Sequence, residues 1–136
     1  MSEEKKSEKS IELECLSGFF VRPDNGETFN DLSDLPDAES VHIDVMIKIA
    51  SVWKPYDYQR FTVDIYTGTF AGDSCAYQTF MEFDGVEVGW ASIYMTSFNG
   101  KKAQQIIEAL IARCDEGSLI NSRDALKDTF DCLDDW

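Results

Sequence analysis

Four aspartates near the C-terminus, Asp124, Asp128, Asp131 and Asp135, recur at intervals of four, three and four residues. On one continuous helix that spacing puts all four carboxylates on a single face, opposite an apolar stripe of Leu126, Phe130 and Leu133. A rise of about 1.5 Å per residue steps neighbouring carboxylates by about 4.5–6 Å along the axis. Phosphates on one nucleic-acid strand recur on a similar scale, so such a row can occupy a Lys- and Arg-lined groove built for a phosphate backbone. The row has a local cost, because aspartate is a weak helix former and negative charge near a helix C-terminus opposes the macrodipole. The competing reading is a solvated helix face that Arg123 and Lys127 partly neutralise.

Two further tracts are acidic. Between Pro23 and Ile47 lie Asp24, Glu27, Asp31, Asp34, Asp37, Glu39 and Asp44, with no Lys or Arg. Asp31, Asp34 and Asp37 lack the alternate spacing, central glycine and terminal glutamate of a calcium loop, so the tract reads as an interaction loop or a solvated one. From Phe61 to Gly100 there are Asp64, Asp73, Glu82, Asp84 and Glu87, again without Lys or Arg. A segment of this kind must face solvent, a cation or a basic partner. Tyr66, Phe80 and Tyr94, if they stand on the outer face, add aromatic anchors of the type favoured at interfaces.

Residues for bond-breaking chemistry are sparse. His42 is the single histidine, and Asp44 shares its strand face. A His–Asp pair can orient a base, with Cys15 or Cys75 as nucleophile, but nothing in the sequence brings these groups together. Glu82 and Glu87 are the candidate carboxylate pair for glycoside chemistry. A glycine-rich phosphate loop and a nucleophile elbow are both lacking. Cys15, Cys75, Cys114 and Cys132 contain no paired short spacing, which favours reduced thiols over a zinc site or a disulfide framework. No catalytic residue, metal or cofactor is expected.

The elements that must carry these residues follow from periodicity. MSEEKKSEKS reads as a flexible tail and not a secretory signal, which leaves residues 11–136 as one domain. Residues 11–21 alternate, with Ile11, Leu13, Cys15, Phe19 and Val21 on one face and Glu12 and Glu14 on the other. Residues 22–40 read as a long loop with a helical turn near Phe29–Leu35. Val41, Ile43, Val45, Ile47 and Ile49 form the clearest strand; Pro55 breaks it, and alternation resumes from Phe61, giving a hairpin. Asp84-Gly85 centres a second hairpin that sets Phe83 opposite Val86, Met81 opposite Val88, Glu82 opposite Glu87 and Phe80 opposite Gly89. The phase change after Ser92 suggests a bulge. Asn99 caps a helix whose stripe is Ala103, Ile106, Ile107, Leu110 and Cys114, with Gly117 beyond its end. Asn121 or Ser122 caps the last helix. The sum is an α+β domain: an antiparallel sheet of about five strands, in two hairpins, with two C-terminal helices packed on one face.

Charge narrows the function. Twenty-six acids against twelve bases give a formal net charge of −14 on 136 residues. That field repels nucleic acid and anionic membrane and attracts basic surfaces. No apolar run approaches the length of a membrane helix. The leading expectation is a cytoplasmic, non-enzymatic inhibitor that occludes a basic, nucleic-acid-handling surface of a partner protein. Its partner-binding residues would be Asp124, Asp128, Asp131 and Asp135, the loop acids Asp24, Glu27, Asp31, Asp34 and Asp37, and Glu82 with Glu87. In size and charge the chain is similar to small acidic inhibitors, such as phage proteins that block restriction or CRISPR machinery and immunity proteins that cap a basic toxin. Two alternatives stand beside it: a secretion chaperone or adaptor that dimerises and binds extended polypeptide, and a small-ligand domain or enzyme with a cavity near His42.

Overall fold

The computed structural model describes residues 10–21, 26–29, 32, 42–53, 58–67, 79–83 and 85–134. The elements are β1 (Ile11–Val21), β2 (Gly26–Phe29), β3 (His42–Ser51), β4 (Tyr58–Thr67), β5 (Thr79–Phe83), β6 (Val86–Gly89), β7 (Ser92–Met95), α1 (Gly100–Cys114), α2 (Arg123–Thr129) and β8 (Asp131–Cys132). The domain is α+β. Its mixed sheet runs β2-β1-β3-β4-β7-β6-β5, and β8 pairs with β4 off that path.

Alternation of β-branched residues drives the central hairpin. Ile43, Val45, Ile47 and Ile49 of β3 are buried, as are Phe61, Val63 and Ile65 of β4, and the register sets Ile47 opposite Phe61 and His42 opposite Tyr66. Fully burying side chains of this size contributes about 1.5–3 kcal/mol each. The second hairpin also has the expected core register, with Phe83 opposite Val86, Glu82 opposite Glu87 and Met81 opposite Val88. Gly85 supplies the left-handed turn conformation at φ 83°.

Five details differ from the sequence expectation. The phase change expected after Ser92 reflects not a bulge but a chain reversal just before it: Gly89 pairs with Ser92 across Trp90 and Ala91, and Ala91 takes φ 52°. β7 then lies parallel to β4, so the sheet is mixed and larger than five antiparallel strands. A short strand, β2, falls inside the expected loop and pairs with β1. A register shift between Thr79 and Met81 places Thr79 opposite Gly89, where Phe80 was expected. In β1, an irregularity between Leu13 and Cys15 switches the phase, burying Leu16 and exposing Cys15.

The helices cover one sheet face. Asn99 Oδ1 accepts the Lys102 amide at 2.9 Å and opens α1. Ala103, Ile106, Ile107, Leu110 and Cys114 are all buried in the same core as the inner β3 and β4 residues. α1 ends at Asp115, whose carboxylate accepts the Ser10 hydroxyl, the Ser10 amide at 2.7 Å, the Ile11 amide at 3.3 Å and the Gly117 amide at 3.0 Å. Ser10, expected in the flexible tail, is therefore buried and tied to the far end of α1. Residues 1–9 lie outside the described residues.

α2 is shorter than its aspartate spacing suggested. Ser122 is its N-cap, and it stops at Phe130, which is extended at φ −124° and ψ 161°. Phe130 is buried against Phe61, with ring centroids 6.1 Å apart. β8 follows at once and pairs Asp131 with Thr62 and Cys132 with Phe61. Leu133, expected in the buried helical stripe, is 47% exposed. Helix packing gives way to strand pairing here because β4 offers an unpaired edge below the point where β7 joins it.

Candidate partner-binding face

The expected helical row of four carboxylates does not form. Only Asp124 and Asp128 sit on α2, both exposed, with Arg123 Nε 3.7 Å from Asp124 and Lys127 between them in sequence. Asp131 leaves the helix and joins the sheet edge through β8. Asp135, Asp24, Asp31, Asp34 and Asp37 lie outside the described residues; Glu27 lies in β2, with its side chain outside them too. Of the expected partner-binding residues, the structure brings together Glu82 and Glu87, directly opposite each other and both exposed.

A different acidic surface emerges on the sheet face opposite the helices. Strand pairing aligns one row of residues across five strands: His42, Tyr66, Tyr94, Glu87 and Glu82. The adjacent row holds Asp44, Asp64 and Ser92. Because paired residues share a sheet face, these groups lie on one side of the sheet. The His42 and Tyr66 rings stack at 4.6 Å and 12°, and Tyr66 and Tyr94 stack at 5.5 Å and 14°. His42 Nε2 lies 3.1 Å from Asp64 Oδ1. The histidine thus meets a carboxylate across the hairpin.

The electrostatics of this face are unbalanced along the strands. Partial desolvation raises the Asp44 carboxyl above the ordinary range, the Asp64 charge adds to the rise, and His42 opposes it. Burial, then Asp64, Tyr94 and Asp44, push the Tyr66 hydroxyl up to about 12. At the other end of β3 and β4, Lys48 sits 4.3 Å over the Tyr58 ring, and Arg60 bonds Asp134 at 2.7 Å. The Arg60 hydrogen bond holds the Asp134 carboxyl below its usual range. These two cations are committed at one end of the face. At the other end, no Lys or Arg among the described residues forms an ion pair with Asp44, Glu82 or Glu87.

Asp44 and Asp64 are directly opposed like charges, a pairing that costs about 0.2–1 kcal/mol on an antiparallel ladder. Asp44→Asn is expected to stabilise the fold by that amount at neutral pH. A raised carboxyl favours the protonated folded state, so the gain is full above the raised folded-state value, shrinks as pH falls through it, and is gone below the ordinary aspartate value of 3.8. Urea unfolding at neutral and acidic pH measures it.

Among the described residues, the His42–cysteine alternative finds no assembled site, while Glu82 and Glu87, the candidate carboxylate pair, stand opposite each other on the exposed face. Cys15 pairs with Lys48, six residues along β3 from His42, a separation of ~20 Å. Cys75 lies outside the described residues. Burial raises the Cys114 thiol above its ordinary value, with the Thr129 hydroxyl at 3.4 Å. A cleft of about 220 Å³ is lined by Ile11, Leu13, Glu108 and Ile111, and one of about 350 Å³ by Met81, Arg113, Asp128 and Thr129; both are away from His42. Among the described residues, no group of three or more His, Cys, Asp or Glu is placed to hold a metal, and no helix is long and apolar enough to cross a membrane.

Sequence reasoning placed Glu82 opposite Glu87 and put Tyr66 and Tyr94 forward as anchors, but it missed the stack and the Asp44–Asp64 pair. The β3–β4 register contains the signal for that pair; the parallel partnership of β4 with β7, which brings in Tyr94, has no local signature. No protein family, curated protein or solved structure matches this chain.

Proposed function

We propose that this chain is a non-enzymatic acidic interaction protein that occludes a basic, nucleic-acid-handling surface of a partner protein. The observation that supports this reading is the face carrying Asp44, Asp64, Glu82 and Glu87 around a Tyr66–Tyr94 stack, where the face's cations among the described residues, Lys48 and Arg60, stand at the opposite end. Carboxylates steer a cationic partner into contact, and the tyrosines supply rigid amphipathic area once it arrives. The open face takes the role expected of the last helix; Asp124 and Asp128 contribute to the general field.

Two variants of equal charge test the location. The first combines Asp44→Asn, Asp64→Asn, Glu82→Gln and Glu87→Gln. The second combines Glu108→Gln, Glu116→Gln, Asp124→Asn and Asp128→Asn, all exposed positions on or near the helices. A partner captured from lysate at about 50 mM salt and released at about 500 mM is then titrated against each. The first variant is expected to lose about tenfold in affinity and most of the salt dependence, while the second stays within about threefold of the parent. Equal losses would show that net charge alone drives binding, and a larger loss in the second would return the site to the helices.

A further inference from the structure

We infer that the open end of the aromatic stack is a seat for an arginine side chain of the basic partner, held between the Tyr94 ring and the carboxylates of Glu87 and Glu82. This rests on the reading of the chain as a binder of basic protein surfaces, and it names the group recognised. His42, Tyr66 and Tyr94 stack nearly parallel across three adjacent strands. Successive strands lie about 4.8 Å apart, so the next rung beyond Tyr94 falls at Glu87, and the one after it at Glu82. Tyr66 covers one face of the Tyr94 ring, and the other face points along the row toward two carboxylates.

An aromatic face and a carboxylate are both electron-rich, and setting them side by side is unfavourable unless a cation lies between them. A guanidinium satisfies both neighbours. It is planar and weakly hydrated, so it continues the stack over Tyr94, and its fork of N–H donors meets a carboxylate bidentately. A lysine ammonium supplies the charge but neither the plane nor the fork. A nucleobase would also stack on tyrosine, but its phosphates would then lie against Asp44, Asp64, Glu82 and Glu87, and a cationic polypeptide is the occupant whose charge fits the whole row.

Fluorescently labelled octa-arginine and octa-lysine peptides separate recognition from attraction, because they carry equal charge. Anisotropy titrations at about 150 mM salt should show the full-length chain preferring octa-arginine by about fivefold, the scale of one exposed cation–π contact. Tyr94→Leu should abolish the preference, bringing octa-arginine binding down to that of octa-lysine. Tyr94→Phe should keep it, because the ring face remains. Glu87→Gln, which leaves the stack untouched, should weaken the preference and guards against a folding defect in Tyr94→Leu. Equal binding of the two peptides by the parent chain overturns the arginine seat and leaves the broader reading standing. Failure of both peptides to bind even at about 50 mM salt overturns both. Binding of oligothymidylate that is lost in Tyr94→Leu would assign the stack to nucleobases and overturn the seat.

Discussion

Replacing Phe130 with alanine is expected to lower the unfolding free energy by about 3–5 kcal/mol, the range for deleting a buried phenyl group. Phe130 is fully buried and meets Phe61 at the point where α2 ends. Its amide donates to Leu126 O at 2.8 Å, and the preceding carbonyl, Thr129 O, accepts the Ala91 amide at 2.7 Å. The residue therefore sits where α2, β8, β4 and the β6–β7 turn converge, and little surrounding backbone can collapse into the space it would leave. Leu133→Ala is the matched control: at its exposed position it should cost within about 0.5 kcal/mol. A continuous last helix would bury both side chains on one stripe and make the two substitutions comparably costly. Urea midpoints for the pair thus test where the helix breaks, and with it whether Asp131 can belong to a helical row.

The contrast between these two residues shows why some of the fold was legible and some was not. Strands β3 and β4 alternate cleanly, and the Asp84-Gly85 turn fixes its register within a few residues, so both hairpins could be read from local pattern. Asn99 and the α1 stripe were equally local. The end of α2 was not: Leu126, Phe130 and Leu133 fit a helical period, but the edge of β4, distant in sequence, competes for the chain and takes it at Asp131. The β6–β7 reversal was hidden because Ala91, not glycine, carries the left-handed conformation. The irregularity at Leu13–Cys15 reversed the expected side for Cys15 in the same manner.

The candidate site divides along the same line. Its chemistry was visible as a stretch from Phe61 to Gly100 with acids and tyrosines but no Lys or Arg. Its geometry was not, because the row from His42 to Glu82 depends on β7 inserting parallel to β4, a pairing between residues far apart in the chain. Helical spacing of acids points to Asp124–Asp135, whereas the cross-strand ladder concentrates Asp44, Asp64, Glu82 and Glu87 with no periodic signature at all. The opposed carboxylates also tie function to stability: Asp44→Asn should strengthen the fold while weakening the binding face, the trade expected where charge is retained for a partner.

Asp115→Ala should cost about 2–3 kcal/mol at neutral pH, because it strips one carboxylate from several donors and leaves part-buried N–H groups without an acceptor. Those donors come from both ends of the layer: Ser10 and Ile11 at the start of β1, and Gly117 just past α1. The contact closes a chain separation of 105 residues, so it holds the helix layer against the sheet through a bond that no local element can replace. Burial opposes ionisation of Asp115, but the hydrogen bonds from Ser10, Gly117 and Ile11 outweigh it and hold the carboxyl below its ordinary value of 3.8. A lowered folded-state value means the latch contributes fully above the ordinary value and fades as pH falls through the lowered one. The stability gap between parent and Asp115→Ala should therefore be constant near neutrality and close on acidification below about pH 4. Ser10→Ala, which removes the hydroxyl but keeps both β1 amides, should reproduce a smaller part of the loss with the same acid limb. A gap that persists unchanged at acid pH would mean that packing around Asp115, not its charge, holds the two ends together.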